Sequence, residues 1–111
     1  MKKILTSVFV FIAQLFFVLA QNREFTINNF TGKEDGLKEA QSNIKKGDEF
    51  YRAGTYMYFK ALDFYLKANY FNPENALLNY KIGACYLYSP FKQKAVAHLE
   101  KAKMLDPKNL I

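Results

Sequence analysis

Hydrophobic positions fall into three regimes along the chain. Ile4 to Leu19 is a nearly unbroken apolar run, interrupted mainly by Thr6, Ser7 and Gln14. Gln21 to Gly36 is polar and rich in Asn and Thr, and reads as an extended lead-in with room for flexibility. Phe25, Ile27 and Phe30 are its only large apolar residues, placed to anchor it on whatever follows. From Leu37 onward, apolar residues recur every three to four positions, the helical period. Leu37, Ala40, Ile44, Gly47 and Phe50/Tyr51 share one face of a first helix, expected over Leu37 to Ala53 and ended by Gly54. A second helix is expected from Tyr58 to Phe71, with Ala61, Leu62, Tyr65, Leu66 and Ala68 on its inner side. Asn72-Pro73 then supplies a helix start, because Asn accepts free amide hydrogens and Pro fits a first turn. The third helix is therefore predicted over Pro73 to Leu87. Ser89-Pro90 repeats the signal and opens a fourth, Pro90 to Leu105, and Asp106-Pro107 repeats it once more. The expected class is all-α.

The apolar start is read as a targeting segment. Lys2 and Lys3 precede it, Val18-Leu19-Ala20 ends on a small residue, and Gln21-Asn22-Arg23 turns polar at once. Residues 1–20 are accordingly assigned as a signal peptide and 21–36 as the lead-in, and the protein is expected to be exported. An uncleaved anchor is the rival reading. A spanning helix takes about 20 apolar residues, more than this run offers, and Gln14 lies inside it. Cleavage removes two lysines and takes the formal charge from +6 to +4.

Internal self-similarity is the strongest signal in the remainder. Pro73 and Pro107 are 34 residues apart, and the same interval separates Ala68 from Ala102, Tyr65 from Leu99 and Ala61 from Ala95. Asn79, Ile82-Gly83, Tyr86, Ala95, Leu99, Ala102 and Pro107 resemble the tetratricopeptide repeat (TPR), a helix–turn–helix unit of that period. Gly47, Phe50, Gly54, Tyr56, Ala61, Tyr65 and Ala68 match it more loosely, with two extra residues in the turn at Thr55 to Phe59. Residues 37–73 thus form a degenerate first unit, 74–107 a second, and 108–111 the start of a third that is cut off or uncapped. The resemblance implies two stacked units of a right-handed α-solenoid. Gly47 and Gly83 would allow close helix approach, with Phe50, Ala61, Tyr65, Ala68, Pro73, Tyr86, Ala95, Leu99, Ala102 and Pro107 filling the repeat contacts.

The same resemblance implies a function. In TPR proteins the first helix of each unit lines a concave groove, which here would place Gln41, Ile44, Asp48, Tyr51 and Arg52 beside Leu77, Tyr80, Ala84, Leu87 and Tyr88. Tyrosine and arginine are enriched at the energetic centres of interfaces. Equally, Tyr51 and Tyr80 are suited simply to packing on neighbouring helices. The clamp for chaperone carboxylates is not expected, because Ile44 and Asp48 stand where its Lys and Asn belong and Asp48 would repel a carboxylate. An exported start, a polar lead-in and aromatic-rich repeats also resemble the N-terminus of Gram-negative envelope proteins that carry a C-terminal OmpA-type domain. The expected partners are other envelope proteins or peptides, at the periplasm or outer membrane, and the chain is read as part of a longer protein. A true chain end would instead favour a homodimer through Leu99, Leu105 and Leu110.

Composition narrows the rest. Basic residues are scattered among acids, so no nucleic-acid footprint is expected. Cys85 is the single cysteine, within an apolar stretch, which excludes an intrachain disulfide and favours an inert thiol. His98 is the only histidine, adjacent acids such as Asp48-Glu49 point apart on a helix, and no Gly-rich phosphate loop exists. Neither an enzyme, a metal nor a cofactor is expected. A structural spacer, or weak membrane-surface association through Lys45-Lys46 and Lys92/Lys94, are the alternatives to a binding groove.

Overall fold

The computed structural model describes residues 21–108; the assigned signal segment and residues 109–111 lie outside them. The described residues are all-helical, without strands. Helix α1 spans Glu34–Ala53, α2 Tyr58–Phe71, α3 Ala76–Leu87 and α4 Gln93–Leu105, with 3-10 turns at Ile27–Asn29 and Thr55–Met57. No described helix is long and apolar enough to cross a membrane.

Helix α1 begins three residues earlier than the apolar pattern indicates. Glu34 and Asp35 occupy its first turn, where the helix dipole favours acids. The Glu34 carboxylate accepts the Gly32 amide at 3.0 Å, which lowers its pKa. Gly54 ends the helix at φ 126°, a backbone conformation that a Cβ would strain. After α2, the helix start at Asn72-Pro73 is displaced. The true N-cap of α3 is Asn75, whose Oδ1 accepts the Leu78 amide at 2.9 Å, while Asn72 Oδ1 closes a local turn on the Glu74 amide. Ser89 fails similarly as a cap for α4: its Oγ accepts only the Phe91 amide, in a turn that delays the helix to Gln93.

Two antiparallel hairpins, α1–α2 and α3–α4, make up the body, and α2 packs against α3. Inside the first hairpin the Tyr65 ring lies on the bare backbone of Gly47, where a Cβ would come within 2.6 Å of it. Inside the second, Leu99 fills the equivalent place on Gly83 at the same distance, with the Ala95 carbonyl at 3.4 Å. Ala40, Ala61, Tyr65, Ala68, Leu78, Ile82, Cys85, Tyr86 and Ala95 form one buried cluster. Ala102 is also buried, and Leu99 packs against the cluster from its edge. Phe50 is half-buried and packs against the cluster too, stacked on Phe64 at 5.8 Å. Two of the expected packing residues lie elsewhere, since Pro73 and Pro107 are exposed in their turns. Gly36 forms a further close contact, its position for a Cβ lying 2.7 Å from the Phe71 ring.

The lead-in folds as a strap. Asn22 Oδ1 accepts the Ala76 amide at 2.7 Å, and the Arg23 amide donates to the Glu74 carbonyl at 2.7 Å. The Arg23 carbonyl accepts from the side-chain amides of Asn72 and Asn75 at 2.9 and 3.0 Å. Gln41 on α1 donates to the Phe25 carbonyl at 2.9 Å. Phe30 is buried against Phe71, ring centroids 4.8 Å apart, and the Arg23 guanidinium sits over its ring at 3.9 Å. Phe25 packs on the core as well, whereas Ile27 remains exposed and anchors nothing.

Gly47→Ala is expected to destabilise the chain by about 1–3 kcal/mol, because overpacking outweighs the gain from replacing a helical glycine. Asn75→Ala removes both a helix cap and a strap bond, and is expected to cost about 1–2 kcal/mol. Thermal melts followed by circular dichroism would measure both losses; an unchanged melting point in either variant would contradict the packing described.

Candidate interaction surface

Helices α1 and α3 follow the same direction, as Ile44 beside Leu77 and Leu78 and Asp48 beside Lys81 show. Ile44 sits with Leu77 and Leu78 around a shallow cavity of about 40 Å³, which Asn75 and Lys81 complete. One turn further on, Lys81 Nζ pairs with Asp48 Oδ1 at 2.8 Å. The Tyr65 hydroxyl donates to the same carboxylate oxygen at 2.5 Å, crossing from α2. Burial first, and the Asp48 hydrogen bond second, raise the Tyr65 pKa far above its ordinary value, so the phenol remains a donor. Asp48 is therefore a compensated charge that joins three helices. Its expected repulsion of a carboxylate loses its force.

Beyond this node lies a tyrosine ladder. Tyr65 meets Tyr51 edge-on at 6.1 Å, Tyr51 stacks on Tyr58 at 4.6 Å, and Tyr58 meets Tyr88 edge-on at 5.4 Å. Burial, then the neighbouring Tyr58 hydroxyl, also raises the Tyr51 pKa. The shallow surface between α1 and α3 thus has the strap at one end and aromatic rings at the other.

The residues expected in the groove divide by exposure. Ile44 and Tyr51 are half-buried and pack on the core, and Asp48 is held as described. Ala84 is half-buried, while Arg52 is exposed on α1. Leu77, Tyr80, Leu87 and Tyr88 are 53%, 42%, 47% and 66% exposed. The strap closes one end through Gln41 and Asn75; Phe25 and Phe30 marked its anchoring in the sequence, but the hydrogen bonds of its main-chain carbonyls to those amides had no sequence signal. A larger cavity of about 480 Å³ lies between α1 and α2, lined by Gly36, Glu39, Asn43, Lys67, Tyr70 and Phe71. Nothing in the apolar periodicity indicates it.

The other singled-out groups are held in the packing. His98 Nδ1 lies 3.0 Å from Asn79 Oδ1. Because Asn79 Nδ2 donates to the Pro73 and Asn75 carbonyls, its oxygen accepts, and the imidazole proton sits on Nδ1. Cys85 is buried, and burial pushes its thiol pKa up to about 12. Among the described residues no three His, Cys, Asp or Glu side chains converge to hold a metal ion. Comparisons with family models, curated proteins and solved structures found no match to the chain.

Two solution properties follow from these environments. Burial, and then Lys101, lower the His98 pKa below 6.5. The unfolded chain therefore binds the proton first, so this group's stabilisation is complete above pH 6.5 and is lost as pH falls below it. The melting temperature is expected to drop from neutral to mildly acid pH, and His98→Gln to flatten that drop. Cys85 is expected to resist a thiol reagent in the native chain and to react fully in denaturant. Rapid native labelling would contradict its burial.

Proposed function

We propose that the chain is a non-catalytic protein-interaction scaffold built from two TPR-type hairpins, exported and part of a larger assembly of the bacterial envelope. The observation that carries this reading is the composition of α3 set against its exposure. Lys81 is its only charged residue, and apolar residues occupy most of its circumference. A helix of that composition is ordinarily buried all round. Here Leu77, Tyr80 and Leu87 nevertheless face solvent, with Tyr88 just beyond the helix.

The repeat reading is supported by the paired glycine contacts. Gly47 and Gly83 stand at corresponding places in the two hairpins, each pressed by the large side chain of its partner helix. The parallel course of α1 and α3, read from Ile44 beside Leu77 and Asp48 beside Lys81, is what stacked units of one solenoid require. The apolar segment before Gln21 supports export.

Tyr80→Ala combined with Tyr88→Ala tests the binding surface. Neither residue belongs to the buried core, Tyr80 and Tyr88 being 42% and 66% exposed, so the variant is expected to stay folded, which its melting curve checks. Co-purification of envelope partners with the wild-type chain, under crosslinking, is expected to weaken by about tenfold or more in the variant. Retention of every partner by a folded variant would reduce the chain to a structural spacer.

A further inference from the structure

The strap bonds to the body almost from its first residue. Asn22 Oδ1 accepts the amide of Ala76, the first residue of α3, at 2.7 Å. Arg23 follows at once, its amide on the Glu74 carbonyl at 2.7 Å and its own carbonyl taking the Asn72 and Asn75 side chains at 2.9 and 3.0 Å. Gln21 alone among the described residues precedes these bonds. It is exposed, and its side chain has no hydrogen-bond partner among them.

Cleavage after Ala20 makes Gln21 the first residue of the exported chain, with a free α-amine. A glutamine in that position carries its own electrophile. Attack of the α-amine on the carboxamide carbon Cδ closes an unstrained lactam ring. The amine nitrogen bonds to Cδ, the Cδ–Nε2 bond breaks, and ammonia leaves with a proton from the amine. No oxidant, reductant or cofactor is consumed. The amine attacks in its neutral form, and its pKa of about 7.7–8.0 leaves a usable neutral fraction at neutral pH. Both groups sit in one residue, so no bimolecular encounter is needed.

The fold leaves this reaction unobstructed. Every atom of the new ring belongs to Gln21, whereas the strap bonds start at Asn22, so closure disturbs none of them. The fold also gives closure a consequence. Aminopeptidases grip a free N-terminal amine, which the lactam lacks. On an open chain, removal of Gln21 and Asn22 takes the acceptor from the Ala76 amide, and removal of Arg23 takes the carbonyl that Asn72 and Asn75 share.

We propose that Gln21 of the exported chain is cyclised to pyroglutamate, and that the lactam protects the strap from trimming. The proposal rests on the export reading above and adds a covalent modification to it.

The chain, made with its own leader, is isolated from the envelope fraction of the cells that produce it and cut with a lysine-specific protease. Lys33 is the first lysine after Lys3, so the N-terminal peptide is expected to be Gln21–Lys33, lighter by one ammonia. Synthetic open-chain Gln21–Lys33, isotopically labelled and added before digestion, measures closure during handling. A native peptide no more closed than that standard would overturn the proposal and leave export standing. A peptide beginning at Ile4 would show the leader retained and overturn both. A start at any other residue after Ala20 would overturn the proposal alone. Gln21→Ala, which cannot cyclise, tests the protection. Under an added aminopeptidase the variant is expected to lose Asn22, and its Ala76 amide to exchange about fivefold faster for want of one hydrogen bond, while the wild type keeps both. Equal trimming of the two chains would overturn the protective role.

Discussion

The contact between Tyr65 and Gly47 is the one on which the remaining structure depends. It brings α1 and α2 so close that the aromatic ring rests on backbone. That closeness carries the hydroxyl through to Asp48, and Asp48 in turn holds Lys81 on α3. A single buried side chain thus sets the spacing within the first hairpin and the register between hairpins. A net hydrogen bond of this kind contributes little by itself, roughly 1 kcal/mol. Its weight lies in direction, since the apolar core around it would tolerate small slides of one helix past another and the bonded oxygen would not.

The second hairpin uses the same device without the polar extension. Leu99 presses on Gly83, but it offers nothing to bond beyond that point. Polar order in this half comes instead from Asn79, which ties the α3 start to the Pro73 turn and to His98 on α4. One hairpin is therefore keyed from its middle and the other from its end.

Much of this was legible in the residues. All four helices follow from apolar period, and their C-terminal limits coincide with the observed ones, because the apolar face stops where Gly54, Asn72 and Asp106 begin. The N-terminal limits were harder. Asn72 and Asn75 are chemically identical as caps, and the strap bonds both side-chain amides from some fifty residues away in sequence, so residue type alone does not tell which one caps α3. Ser89 was misleading for a different reason: its hydroxyl is satisfied inside its own turn by the Phe91 amide and the Tyr86 carbonyl. Small residues marked the helix contacts well, since only Gly or Ala fits where backbones meet, although Gly36 passed as a loop glycine until α1 proved longer. The resemblance to the repeat singled out Leu77 and Tyr80 on α3. It could not show that Asp48 and Lys81 would cancel one another, because that pairing crosses between hairpins.

The strap has a mechanical consequence. A polypeptide tugged from upstream of Asn22 does not peel the first helix away from its end. The load enters instead at the junction of the two hairpins, where main-chain and carboxamide bonds around residues 72–76 hold the strand together. Tension on that segment therefore reaches the seam between the hairpins directly.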